Sequence, residues 1–291
     1  MELAFHVRDL KQEISEHILI RHLRSFYPEN VPADFGCSSE KIYRLYIGDE
    51  FCFHRLPSLK EIREFSRFSQ NHTAGLTFLT PPMTDRHLEK CAPLFACLEN
   101  DCPGAEVVTN DPGVLWHVRK KYPGLRLAAG RLFNKGFKDP RFVWPWDDAS
   151  MSESMQNALN ESTFRHRTFL EHLSSINVRR IEQDILPYGS GISRGLSDMG
   201  VSVYFPFGVV TTGRLCQAES RKGKGREKFL IREDCLRPCT HQVLELVHER
   251  FQFRLFQNGN TIYYLYPAAV LNTVFTSVEG SFRLVYQGFA L

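Results

Sequence analysis

The sequence predicts an α/β chain, a TIM-like (β/α) barrel with a small antiparallel C-terminal appendage. Three observations predict it. Short strand-like runs alternate with amphipathic helical stretches over short links, the pattern of a parallel sheet with crossover helices. Seven such strands fall before residue 210, which favours a closed barrel over an open doubly wound sheet. An Asn258-Gly259 pair between apolar runs marks a hairpin near the C-terminus. No Gly-x-Gly-x-x-Gly follows any strand, which weakens the nucleotide-binding form of the open sheet.

The elements follow in order. Residues 2–7 alternate and read as a strand. Asp9 with Gln12 resembles a capping box opening a helix to about 27, with Leu10, Ile14, Ile18 and Leu23 on its apolar face. Residues 41–47 form the second strand. Ser58 and Glu61 make a capping-box pair before Leu59, Ile62, Phe65 and Phe68. The third strand is 75–79, and Thr84 caps the next helix. The fourth strand is 105–109. Asp111-Pro112 starts a helix with proline where its missing N–H costs nothing. The fifth strand is 125–129. An aromatic, proline-containing loop follows (Phe142 to Trp146), then a helix over 153–175 and strands at 178–182 and 200–207. Beyond residue 216 the pattern changes. Runs at 251–257 and 260–266 flank Asn258-Gly259. These patterns divide the chain into a barrel over 1–215 and a segment over 216–291 that carries cysteines and a β-hairpin and packs on the barrel.

Composition bounds the function. Of 291 residues, 43% are hydrophobic and 24% charged, which supports a buried core and excludes a mainly disordered chain. A net charge of +3 does not advertise a nucleic-acid binder. The start of the chain has no basic region followed by an apolar run, and no apolar stretch is long enough to span a membrane. The expectation is a cytoplasmic protein with reduced thiols.

Eight cysteines are too few for a disulfide-stapled scaffold. Cys91, Cys97 and Cys102 belong to one helix and its exit and read as core thiols. Cys37 lies in a polar loop. Cys52, Cys216, Cys235 and Cys239 differ, because each follows a predicted strand end, on the face where the loops of a parallel barrel gather. Four thiolates suit tetrahedral zinc or an iron–sulfur cluster. A structural zinc site normally shows two tight Cys-x-x-Cys knuckles. Here one cysteine stands alone and three follow much later, a dispersion that fits a cluster better than zinc. Four unrelated core thiols are the other reading.

The segment Leu45-Tyr46-Ile47-Gly48-Asp49-Glu50-Phe51-Cys52 resembles an element of the UbiV-type proteins in the collagenase-like peptidase superfamily, family U-32. The resemblance continues through Glu106-Val107-Val108-Thr109-Asn110-Asp111-Pro112-Gly113 and Ala128-Ala129-Gly130-Arg131-Leu132-Phe133-Asn134, then Gly208 to Cys216 with Cys235 and Cys239. It spans roughly residues 2–240 in one order. It implies a 4Fe–4S cluster on Cys52, Cys216, Cys235 and Cys239. It also implies a role in oxygen-independent hydroxylation, of a ubiquinone-type or RNA-base substrate, with a homologous barrel partner in a heterodimer. The family's peptidase signature is broken, because Val203 stands at its glutamate position and Thr211 at its first cysteine position. A metal-dependent or collagenase-like peptidase and a non-enzymatic binding subunit are the alternatives.

Other candidates carry two readings each. Asp111 is a general base or a helix cap. Asn134 is a pocket residue or a loop hydrogen-bonder. Asp184 and Glu182 are catalytic or pair with Arg179 or Arg180. His54 tunes a cluster or is a plain loop histidine. The basic stretch from Arg221 to Lys228 attracts an anionic small molecule or RNA, or is a solvated loop. The Trp144-Pro145-Trp146 loop is a partner surface, a lid or a packed loop.

Overall fold

The computed structural model describes residues 2–10, 14–29, 44–142, 152–187, 192–221, 223–231, 234–240, 242–277 and 282–288. Gln12, Cys37, Lys222 and the Trp144–Trp146 loop lie outside them.

The described elements begin with β1 (Glu2–His6), α1 (Glu16–Phe26), β2 (Arg44–Gly48), α2 (Leu59–Asn71), β3 (Gly75–Thr80) and α3 (Asp85–Asp101). They continue with β4 (Glu106–Thr109), α4 (Pro112–Lys121), β5 (Arg126–Ala129), α5 (Glu153–Asn160), α6 (Arg167–Ser175), β6 (Val178–Gln183) and β7 (Gly200–Phe205). The remainder is β8 (Phe207–Thr212), α7 (Gln217–Ser220), β9 (Val243–Leu246), β10 (Leu255–Asn258), β11 (Thr261–Leu265), α8 (Ala268–Ser277) and β12 (Phe282–Tyr286).

Strands β1 to β7 pair in parallel and in sequence order, and β12 closes the barrel between β7 and β1. The eighth strand therefore comes from the far end of the chain, so a barrel ending at residue 215 lacks its closing strand. Strands β8, β11, β10 and β9 make a separate four-stranded antiparallel sheet. The expected hairpin is its β10–β11 pair, with Asn258 opposite Thr261. The turn is thus Gly259-Asn260, and Gly259 supplies the positive φ of 66° that a two-residue hairpin needs.

Local sequence explains most helix boundaries. Ser58 and Glu61 form a complete capping box on α2. The Thr84 hydroxyl accepts the His87 N–H at the start of α3. Two boundaries differ from expectation. The first helix is capped by Ser15, whose side chain accepts the Ile18 N–H, and it buries Leu19 and Leu23. The expected 153–175 helix splits into α5 and α6. Between them the Thr163 N–H bonds to Lys135 O, and Gly136 bridges Ser162. That pairing draws the chain out of helical geometry.

The barrel interior is polar at its N-terminal end. Arg283 is sealed from solvent and contacts Glu2 and Glu106 at 2.6 Å each. Burial opposes ionisation of Glu106, but Arg283 and Arg44 outweigh it and hold the carboxyl at about 2. Above this lies a layer of Ala4, Tyr46, Leu79, Val108, Ala128, Tyr204 and Val285. A filled interior of this kind makes the barrel a core and leaves chemistry to the C-terminal face. No helix among the described residues is long and apolar enough to cross a membrane.

Candidate functional site

The chain leaves β2 at Gly48, whose φ is +95°. A Cβ there would lie 2.5 Å from the Leu79 carbonyl oxygen, so only glycine fits. The turn delivers Asp49, Glu50 and Cys52 to the C-terminal face of the barrel. Asp49 Oδ1 accepts the N–H groups of Phe51 and Cys52, both at 2.9 Å, and its other oxygen meets Arg55 at 3.1 Å.

Cys52, Cys216, Cys235 and Cys239 line one cavity, together with His54, Arg55, Arg214, Arg237 and Asn260. The structure brings together the four cysteines set apart by sequence. It leaves Cys91, Cys97 and Cys102 buried on or beside α3. The antiparallel sheet makes the meeting possible. Asn260, at the hairpin turn, donates to Phe51 O at 2.7 Å and to Gly213 O at 2.6 Å. It ties the loop holding Cys52 to the strand end that precedes Cys216. Arg55 adds a second tie, donating to Asn258 Oδ1 at 2.9 Å.

The sulfurs sit among hydrogen-bond donors. The Cys239 thiol donates to Cys216, which lowers the Cys216 thiol to about 6, and N–H groups of Glu219 and Ala218 add to this against burial. The same bond raises Cys239. Burial pushes Cys52 up to about 12, opposed in part by Arg55 and the His54 N–H. The Arg237 N–H points at Cys235 Sγ at 3.4 Å. The cavity measures about 30 Å³, room for one water. Among the described residues, no three His, Cys, Asp or Glu side chains are drawn together as ligands of one metal ion. The donor set nevertheless suits a multi-iron cluster, with four thiols, N–H groups on the sulfurs and three arginines to offset thiolate charge.

A second cavity of about 400 Å³ lies beside the first and shares Arg214 with it. Its wall includes Phe51, Arg131, Asn134, Lys135, Lys138 and the end of β8. Arg131 organises it. Its guanidinium reaches both oxygens of Glu50, donates to Asp184 Oδ1 at 2.8 Å, and lies 3.8 Å over the Tyr204 ring. Asp184 Oδ2 also accepts the Val209 N–H at 3.0 Å and contacts Lys138 at 3.3 Å. Burial opposes the charge on Asp184, but Arg131 and Lys138 prevail and lower its pKa. Burial lowers Lys138 despite Asp184. Asn134 is buried in the wall, and its Oδ1 has no hydrogen-bond partner.

The other candidates separate. Asp111 caps α4, accepting the N–H groups of Gly113 and Val114, and lines neither cavity. Asp184 and Asn134 are at the site. Glu182 lies inside the barrel, where Tyr46 donates to it at 3.0 Å. Of its expected partners, Arg179 turns out to Asp198, while Arg180 shares the interior with it and contacts Glu106. His54 lines the cysteine cavity. Arg221, Lys224, Arg226 and Lys228 line neither cavity, so the cations facing the larger one are Arg131, Lys135, Lys138 and Arg214. Arg131 and Glu50 lie within motifs of the sequence, which alone gives neither a role. The adjoining Gly130 was the available signal, since a Cβ there would lie 2.3 Å from Asn110 Oδ1.

The fold and site define an eight-stranded parallel β/α barrel with a cysteine-lined cavity beside its C-terminal face. No protein-family model and no curated protein matches the sequence. The structure is similar to that of the U32 peptidase Mk0906, with a TM-score of 0.41 and 9% identity, over 99% of this chain and 92% of that one.

Proposed function

We propose that this chain is an iron–sulfur protein of the U-32 superfamily, of UbiV type, acting in an oxygen-independent hydroxylation with a homologous partner. Cys52, Cys216, Cys235 and Cys239 would hold a 4Fe–4S cluster. The observation that supports this is the convergence of these four thiols, from separate loops, on one cavity. A bound cluster supplies one-electron chemistry. The protein's own groups do the rest. Arg55, Arg214 and Arg237 offset the charge of the thiolates. The neighbouring cavity takes the substrate, and Lys135, Lys138 and Arg214 favour an anionic group on it. Asn134 Oδ1 accepts a hydrogen bond from the bound molecule. Lys138, destabilised as a cation by burial, holds a proton at Nζ within reach of Asp184 Oδ2. That proton would pass to the bound molecule, leaving Lys138 neutral, while Asp184 stays ionised and Arg131 keeps Asp184 and Glu50 fixed.

A peptidase reading has less support. Val203, at the position of the signature glutamate, packs in the apolar core between barrel and helices and lines neither cavity. Anaerobic purification tests the proposal. A brown protein absorbing near ~400 nm with about four irons per chain supports it. A colourless anaerobic preparation holding zinc or no metal overturns it.

A further inference from the structure

We propose that residues 224–231, with Leu236 and Arg237, form a membrane-docking surface that lays an apolar tip against a bilayer containing anionic lipid. Residues 224–231 are all exposed. Three consecutive large apolar side chains stand in the open there, Phe229 at 75%, Leu230 at 59% and Ile231 at 60% exposure, and Leu236 follows at 81%. Four of the seven exposed large apolar residues among the described ones thus fall within eight positions of the chain. Scattered single residues of this kind need no explanation, but a cluster does.

The described charges around the tip are mainly basic. Arg221, Lys224, Arg226, Lys228 and Arg237 are exposed, against exposed Glu227 and Asp234, a net of +3 from these seven side chains. One Glu227 oxygen accepts the Lys224 N–H at 3.2 Å, which ties that carboxylate to the local backbone. Peripheral membrane attachment typically needs two weak signals, an inserted apolar group and a basic patch facing anionic headgroups. Both are on this surface. Phe229, Leu230 and Ile231 follow directly on Lys228, so the apolar and basic signals are adjacent, as insertion beside anionic headgroups requires. Leu230 also lines the cysteine cavity, with Cys235 and Arg237. Docking therefore sets the mouth of that cavity at the bilayer surface. The inference does not depend on whether the thiols bind a cluster.

Vesicle co-sedimentation of the full chain tests it. The protein should pellet with phosphatidylcholine vesicles containing about three parts in ten phosphatidylglycerol, and not with pure phosphatidylcholine. Phe229→Ser with Ile231→Ser, neither lining a cavity, should weaken binding at least ~10-fold. Lys224→Glu with Lys228→Glu should do the same, and raising salt from about 0.05 to about 0.5 M should release the protein. Val247→Ser, at another exposed apolar side chain, should change nothing. Iron content, read on each variant, should match wild type and so reports on the cluster separately. Failure of the wild type to bind anionic vesicles overturns the proposal. So does unchanged binding by the Phe229/Ile231 variant, which would leave a surface for any polyanion, RNA included. A dimer in sedimentation velocity that the same variant splits would assign the patch to a second copy of the chain instead.

Discussion

Arg131 Nη1 donates to Asp184 Oδ1 at 2.8 Å, and both side chains are sealed from solvent. The bond joins the loop after β5 to the end of β6. Through Glu50, the same guanidinium reaches the loop that carries Cys52. Removing the cation strands two buried carboxylates. Arg131→Met should therefore lower unfolding stability by about 3–5 kcal/mol, measured by urea denaturation. A loss below about 1 kcal/mol would show that the carboxylates find other partners or ionise less than the geometry implies.

Glu182 gives a pH signature. Burial inside the barrel raises its carboxyl from the ordinary 4.5 to about 7, against the pull of Arg283 and Arg180. A raised acid binds more protons folded than unfolded, so its contribution falls as pH rises between those values. Below the ordinary value both states are protonated and the cost is absent. Above about 7 the cost is constant, roughly 3 kcal/mol. Glu182→Gln should thus stabilise the protein at pH 8 and have little effect at pH 4. Equal thermal shifts at both pH values would show that burial does not raise the Glu182 carboxyl above its unfolded value.

Asp111 was legible as either a base or a cap, and its two N–H partners assign it to the cap. Asp111→Ala should cost about 1 kcal/mol and leave bound iron unchanged. Loss of activity at unchanged stability and iron content would restore the base.

Asn260 tests how the site is assembled. Its amide spans Phe51 O and Gly213 O, one on each side of the cysteine cavity. Asn260→Ala leaves two carbonyls without their donor, at a cost of about 1–3 kcal/mol. Iron bound per folded chain should fall while far-ultraviolet circular dichroism stays unchanged. Full iron retention would mean the hairpin turn does not hold the two loops together.

The barrel was legible because β–α alternation is a local pattern, and seven of its strands carry it. The eighth was not. Phe282–Tyr286 alternates as a strand, but it follows an antiparallel sheet, and nothing local tells a returning barrel strand from a further hairpin strand. Cys52 was legible because parallel strands send their following loops to one face, whereas Cys216, Cys235 and Cys239 follow β8 and reach that face through the antiparallel sheet. Arg131 was harder to find. An arginine is usually exposed, and only the fold shows that this one is enclosed by Glu50, Asp184 and Tyr204. Of the two arginines expected beside Glu182, only Arg180 shares its face. Neighbouring arginines along a strand point to opposite faces, so Arg179 faces out to Asp198 while Glu182 faces the interior with Arg180 and Tyr46.

The central claim is that four particular thiols act together and the others do not. Iron per chain in anaerobically purified Cys235→Ala and Cys91→Ala tests it most directly. Cys235 lines the shared cavity, while Cys91 is packed in α3. The account predicts that Cys235→Ala loses its iron and its absorbance near ~400 nm, while Cys91→Ala keeps both. Equal iron in the two variants would contradict it.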